Sequence, residues 1–251
     1  MGHVAALWRH PIKSHGREAL TEVTLAPGQT MPWDRHWAVT HDKTKFNADH
    51  PAWVMCRNFM IGAVTPGLGA LGAVLDPQTR TVTLTHNDLG SHSFQPDNPA
   101  DWAGFLLFIL PLCPADGPQP KGFAKIPERG VTDTEFPSIS INNTASHRAV
   151  AGQLGRPLER ERWRANIWLG GLEPWEEFNW LGRTLRIGAA ELEVRERIGR
   201  CKHTMVNPQT GMRDADTLGA LRDGWDHQDF GVYAIVTKGG KVALNDPIEV
   251  I

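Results

Sequence analysis

The residue types best suited to chemistry gather in one stretch, Gly199-Arg200-Cys201-Lys202-His203-Thr204-Met205-Val206-Asn207-Pro208-Gln209-Thr210-Gly211-Met212-Arg213-Asp214. It follows a strand-like run in which Leu192, Val194 and Ile198 stand among charged residues, and it ends in the turn signal of Asn207-Pro208 and Gly211. Cys201 therefore falls where a strand gives way to a loop. Arg197, Arg200, Lys202 and His203 surround it in sequence, and neighbouring cations favour the thiolate, the form that attacks electrophiles and binds metals. A buried structural cysteine is the other reading, since free thiols are among the most buried groups. Local chemistry leaves both open.

Several basic positions could meet an anion. Pro11-Ile12-Lys13-Ser14-His15-Gly16 reads as a turn with a cation beside a hydroxyl, a pair able to hold a phosphate or to lie solvated. Asp34-Arg35 sets an ion pair at the mouth of a strand beginning at His36. Read as a strand, Arg160 to Leu169 puts Arg160, Arg162, Arg164 and Asn166 on one face, either for an anion or as an exposed basic edge. Gly67-Leu68-Gly69-Ala70-Leu71-Gly72 spells a dinucleotide loop. It follows Thr65-Pro66 and is closed off by Asp76-Pro77, so it is expected to be a turn.

Composition narrows the classes. Lys+Arg 26 against Asp+Glu 28 gives a net charge of -2, which provides no global field for nucleic acid or an anionic membrane. Three cysteines, Cys56, Cys113 and Cys201, without CxxC or zinc spacing, argue against a disulfide framework and a structural zinc. With no signal-peptide pattern at Met1-Gly2-His3-Val4, and with Ala103 to Leu110 as the longest apolar run, a cytoplasmic protein is expected. Met1-Gly2 is not followed by Ser or Thr at the sixth position, which is Ala6, so myristoylation is not expected. Ten Trp against one Tyr has no explanation in composition.

The elements that must position these residues read mainly as short strands broken by Gly 25 and Pro 18. Strands are expected at Val4 to Trp8, Leu20 to Leu25, His36 to Val39, Thr81 to Thr85 and Ser138 to Ile141. Phe46 to Val64 suits a partly buried strand pair or the rim of a site. Asn98 starts a helix from Trp102 to Leu110, and prolines 111, 114, 118 and 120 follow as a stiff connector and domain boundary. A helix capped at Asn142-Asn143-Thr144 runs to Leu154, and a short one spans Thr217 to Leu221. Leu185 to Gly188 and Glu191 to Ile198 form a hairpin feeding Cys201. Phe230 to Val236 is a core strand, Lys238-Gly239-Gly240-Lys241 a turn, and Ile248 to Ile251 the last strand.

Arg200 to Asp214, with Asp229-Phe230-Gly231-Val232-Tyr233-Ala234 and a terminal Gly-Gly hairpin near Asp246, resembles the MOSC domain of molybdenum cofactor proteins. Pro11-Ile12-Lys13-Ser14, Asp34-Arg35 and Arg162-Trp163-Arg164-Ala165-Asn166-Ile167 are similar to marks of the branch holding the mitochondrial amidoxime-reducing component and its bacterial relatives. The resemblance implies a mainly β fold, with an N-terminal β-barrel domain over 1–112 and a MOSC β-barrel domain with a few short helices over 113–251. It implies that Cys201 is the thiolate ligand of molybdenum. It further implies that Lys13, Ser14, Arg35, Arg164 and Asn166 hold the phosphate and pterin of the molybdenum cofactor (molybdopterin), with Arg162 and Arg200 nearby. The implied reaction reduces small N-hydroxylated substrates, amidoximes and hydroxylamines, with electrons from a separate donor protein. A sulfur-carrier or persulfide-transfer protein using Cys201, and a non-catalytic molybdenum cofactor carrier, are the alternatives. The sequence departs from the family at Ile198-Gly199-Arg200-Cys201, where relatives often have a second cysteine, at Ala165 in place of Pro, and at Asn47 to His50 on the expected substrate rim.

Overall fold

Alternating apolar side chains turn one face of most strands inward, and the order in which those faces meet sets the architecture. The computed structural model describes residues 2–251; Met1, the first residue of the expected N-terminal domain and of the myristoylation reading, lies outside them. The strands are β1 (His3–Arg9), β2 (Glu18–Leu20), β3 (Glu22–Leu25), β4 (Ala38–His41), β5 (Gly72–Asp76), β6 (Thr81–His86), β7 (Gly90–Phe94) and β8 (Pro120–Ala124). After them come β9 (Ile139–Asn143), β10 (Ile167–Gly170), β11 (Thr184–Ile187), β12 (Ala190–Gly199), β13 (Asp229–Lys238), β14 (Gly240–Ala243) and β15 (Ile248–Val250). Three α-helices, α1 (Trp102–Ile109), α2 (Thr144–Gln153) and α3 (Thr217–Trp225), complete a mainly β protein.

An eight-stranded sheet ordered β15-β11-β12-β13-β9-β10-β1-β2 dominates, with β9 and β10 parallel and the other neighbours antiparallel. Its inner face buries Val4, Ile139, Ile141, Ile167, Leu192, Val194, Val232 and Val236. The N-terminal half adds the meander β5-β6-β7, the pair β4-β8 and helix α1 around a second core of Ile12, Trp37, Leu84, Phe94 and Phe105. β1 and β2 belong to the large sheet and β3 pairs with β14, so strands from both ends of the chain are hydrogen-bonded together.

Helix boundaries follow their caps. The Asn143 side chain accepts from the Ala145 N–H to start α2, and Asp216 accepts from the Gly219 N–H to start α3. Four of the ten tryptophans acquire a role here. Trp163, Trp168, Trp175, Trp225 and Phe230 pack as one aromatic wall behind the Cys201 loop, with Trp163 stacked on Phe230 at 3.9 Å between centroids.

Four expectations are corrected. Arg160 to Asn166 is not strand: Arg160–Trp163 is a 3-10 turn, Arg164 is left-handed (φ 51), and β10 begins only at Ile167. The adjacent residues Arg162 and Trp163 are both buried, which a pleated strand with one polar face cannot achieve. Leu20 to Leu25 is broken at Thr21 into β2 and β3, which pair with different strands. The Gly239-Gly240 turn makes no hairpin with β13, because β14 leaves to pair with β3. Of the two readings of Phe46 to Val64, the strand pair is overturned, since the segment has no strand and carries a 3-10 turn at Cys56–Asn58, while Cys56, Ile61, Gly62 and Ala63 do line a cavity.

Candidate functional site

β12 and β13 run antiparallel for ten residues each, with register shifts between Val194 and Glu196 and again between Arg197 and Gly199. Bulges of this kind bend a strand and re-aim its end. The second delivers Cys201, exposed, just beyond the sheet. The following 3-10 turn is closed by the Thr204 N–H and hydroxyl, both donating to the Cys201 carbonyl, and the Thr204 hydroxyl meets that of Thr217 on α3 at 2.6 Å.

The N-terminal half clamps this loop from the other side. Arg17 reaches the carbonyls of Gly69, Leu71 and Pro208, and Arg213 donates to the Ala63 carbonyl at 2.6 Å. The glycines that spelled a dinucleotide loop form a 3-10 turn instead, and their bareness serves close approach. A Cβ on Gly69 would meet Val206 at 2.9 Å, and one on Gly211 would meet the Gly67 Cα at 2.8 Å.

Between the halves lies a cavity of about 330 Å³, within the range of small-molecule sites. It is lined by Lys13, Ser14, Arg35, Arg162, Arg164, Arg200 and Cys201, seven of the eight residues singled out from the sequence. The eighth, Asn166, does not line it. Its amide is buried and spent on the Ser140 N–H and hydroxyl and on the Trp8 carbonyl, so it joins β1, β9 and β10.

The seven differ in what they leave free. Arg162 pairs with Glu159 and Asp214 at 2.6 and 2.7 Å and donates to the Met205 carbonyl, fixing the far end of the cysteine loop. Arg200 donates to the carbonyls of Phe230 and Trp163 and to Asn142 Oδ1, while burial holds its pKa down to about 10. Arg197 lies over the Phe178 ring at 4.2 Å. Of the cations flanking Cys201 in sequence, Arg197 and Arg200 are thus occupied by the protein itself, while Lys202 is exposed.

Lys13, Ser14, Arg35 and Arg164 complete the polar lining. Lys13 is buried, donates to the Val131 carbonyl and pairs with Asp133. Burial would raise the Asp133 carboxyl, but Lys13 and Arg35 outweigh it and hold the group at about 2. Arg35 pairs with buried Asp34 and donates to the Arg164 carbonyl; against the pull of burial, the carboxylates of Asp34 and Asp133 raise its pKa. Arg164 is the least compensated. Nη1 donates to the Gly16 carbonyl at 3.1 Å, Nη2 has no partner among the described residues, and burial together with Arg35 and Arg17 holds its pKa down to about 9. Ser14 (φ 63), Arg35 (φ 50) and Arg164 (φ 51) are all left-handed, a conformation non-glycine residues adopt at a cost and one that clusters at functional sites.

Among the lining residues that were not singled out as site residues from the sequence are Cys56, Asp133, His203 and Tyr233. The only Tyr of the chain on a core strand was a signal available for Tyr233; Cys56 and Asp133 arrive by long-range folding from loops. Burial, then the nearby Arg164 charge, depresses His203 to about 3, so its ring is neutral. It fits because Gly62 faces it: a Cβ there would stand 1.9 Å from Nδ1.

Together the fold and site define a β-sheet protein whose two halves enclose a cation-rich cavity beside one exposed thiol. The chain belongs to the MOSC-domain family: residues 132–249 match the MOSC domain and residues 1–98 match the MOSC N-terminal beta barrel domain. By family, this domain is associated with the molybdenum cofactor. Among solved structures the chain is similar to the YUAD protein from Bacillus subtilis, at 14% identity and TM-score 0.48, over 100% of this chain and 96% of that one. It is also similar to YiiM from Geobacillus stearothermophilus (20% identity, TM-score 0.36) and YiiM from Escherichia coli (18%, TM-score 0.33), over 45% of this chain and 53% of each. No curated protein matches.

The residues present fit such a cofactor. A soft sulfur ligand, an unpartnered buried guanidinium nitrogen and further cations meet in one cavity. Among the described residues no three His, Cys, Asp or Glu side chains are grouped to hold a metal, so a metal at Cys201 must bring most of its own ligands, as a pterin dithiolene does. Among those residues, too, no helix is long and apolar enough to cross a membrane.

Proposed function

We propose that this protein is a molybdenum-cofactor-dependent oxidoreductase that reduces N-hydroxylated compounds, amidoximes and hydroxylamines, with the Cys201 thiolate as the protein's ligand to molybdenum. The observation that carries the reading is the juxtaposition of exposed Cys201 with Arg164, whose Nη2 has no partner among the described residues, in a single cavity lined from both halves of the chain. Lys13, Ser14, Arg35 and Arg164 would hold the cofactor's phosphate and pterin, and Asp133 and Asp34 keep Lys13 and Arg35 aimed inward. Arg162 and Arg200 act at one remove by fixing the loop on which Cys201 stands.

When bound, the cofactor would supply two-electron chemistry that no side chain of this protein offers. Reduction of an N–OH group consumes two electrons and two protons and releases water. The three cysteines are scattered in sequence and form no iron–sulfur set, so the electrons would come from a separate donor protein, in a reducing, cytoplasmic setting that keeps Cys201 a thiol.

The test is anaerobic reduction of benzamidoxime to benzamidine by molybdenum-loaded protein with reduced methyl viologen. Benzamidine formed by wild type and lost in Cys201→Ser is the expected result. Loaded wild type that forms none overturns the reductase reading and leaves a cofactor carrier.

A further inference from the structure

A second cavity, about 770 Å³, adjoins the first, and Ile61 lines both. The turn at Cys56–Asn58 forms the partition: Cys56 lines the cavity of Cys201, while Met55, Arg57 and Asn58 line the other. Its floor is aromatic. Trp53 is fixed by donating Nε1–H to the Thr132 carbonyl at 3.2 Å, and Phe59 is buried beside Phe46. Its rim is cationic, with Lys43, Lys45 and Arg57 and no carboxylate among the lining residues. None of these three cations forms an ion pair among the described residues, although carboxylates are as plentiful as cations in this chain.

The walls are built without any ligand. His41 accepts from the Lys43 N–H at Nδ1, which sets its tautomer, and Nε2–H donates to the Arg57 carbonyl at 2.9 Å. The Thr44 hydroxyl donates to the Asn58 carbonyl at 2.7 Å, and Asn58 Oδ1 accepts from the Lys45 N–H. The segment after β4 is therefore tied to the partition turn, and a preformed cavity spares a ligand the cost of ordering it. Met55 and Val64 remain exposed at 55% and 48%, apolar surface at the edge of the same cavity.

We propose that this second cavity is the substrate subsite, and that it takes N-hydroxylated compounds with an aromatic body and an anionic group at the end away from the N–OH. The ring lies on Trp53 and Phe59, the anion meets Lys43, Lys45 and Arg57, and the N–OH end passes Ile61 toward Cys201. The inference rests on the reductase reading for its reactive group, while the cavity's preference for aromatic anions is measurable without turnover.

The test compares 4-carboxybenzamidoxime with uncharged benzamidoxime, in wild type and in the variant carrying Lys45→Glu and Arg57→Glu. Both positions are exposed and outside the Cys201 cavity. Binding is read by quenching of tryptophan fluorescence, and turnover by KM with reduced methyl viologen. The expected result is about tenfold tighter binding of the carboxylated probe, with KM lower to match, and loss of the preference in the double variant. Equal affinity for the two probes, or a preference that survives the double substitution, overturns the subsite even where both compounds are reduced. A preference seen in binding without reduction of either probe overturns the reductase reading and leaves the cavity a site for aromatic anions.

Discussion

Replacing Arg164 by glutamine should stabilise the cofactor-free protein while removing the cation proposed above to hold the cofactor's phosphate or pterin. Arg164 is charged in a place that disfavours charge. Burial first, then Arg35 and Arg17, depress its pKa from 12.5 to about 9, which taken whole sets about 5 kcal/mol against the guanidinium. Relaxation and its partial exposure remove more than half of that, and the variant loses the hydrogen bond to the Gly16 carbonyl, worth about 1 kcal/mol. The net expectation is R164Q more stable than wild type by about 1 kcal/mol, a rise in Tm of about 2–4 °C for a chain of this size. Urea unfolding of both proteins at pH 7, prepared without cofactor, measures it. Added inorganic phosphate should then stabilise wild type and leave R164Q unchanged. If R164Q is instead less stable by 1 kcal/mol or more, the cation cluster is satisfied by the protein alone and the case for a missing anion fails.

Acid should destabilise the fold early. Burial holds His10 at about 3 and His15 and His147 at about 4, so the unfolded chain takes up protons near 6.5 where the folded one does not. Their contribution is intact above pH 6.5 and lost as pH falls toward those lower values, about 1 kcal/mol per histidine between pH 6 and 5 and about 3 kcal/mol together. Urea midpoints at the two pH values read this directly, and a loss under about 1 kcal/mol contradicts neutral burial of all three. Iodoacetamide at pH 8 should alkylate exposed Cys201 first. Burial raises Cys56 and pushes Cys113 up to about 11, so both should react about tenfold more slowly, and peptide mass analysis showing either ahead of Cys201 would count against the exposed thiol.

Local signals were readable in the sequence where local physics decides. The Asn143 cap, the β11–β12 hairpin, the alternation of β6 and the rejection of the glycine motif as a dinucleotide loop all follow from neighbours along the chain. Seven of the eight residues singled out line one cavity, although they stand on loops and turns whose paths the sequence does not reveal. What failed was face and partner. Arg162, Arg164 and Asn166 look alike as polar residues at alternate positions. In the fold Arg162 is consumed by Glu159 and Asp214, Arg164 turns left-handed into the cavity, and Asn166 is locked between strands. The β14–β3 pairing joins positions more than two hundred residues apart, which no local pattern encodes. Asp133 and Cys56 entered the site by the same long-range route.

The proposed function stands or falls with Cys201 as the molybdenum ligand in this cavity. Elemental mass spectrometry of protein from a host competent for molybdenum cofactor synthesis, wild type beside Cys201→Ser, tests it most directly. About one molybdenum per chain is expected in wild type and a large loss in the variant, since Cys201 is the exposed thiol of the cavity, whereas Cys56, which also lines it, is held toward the protonated thiol by burial. Molybdenum absent from wild type, or retained in full by the variant, would contradict it.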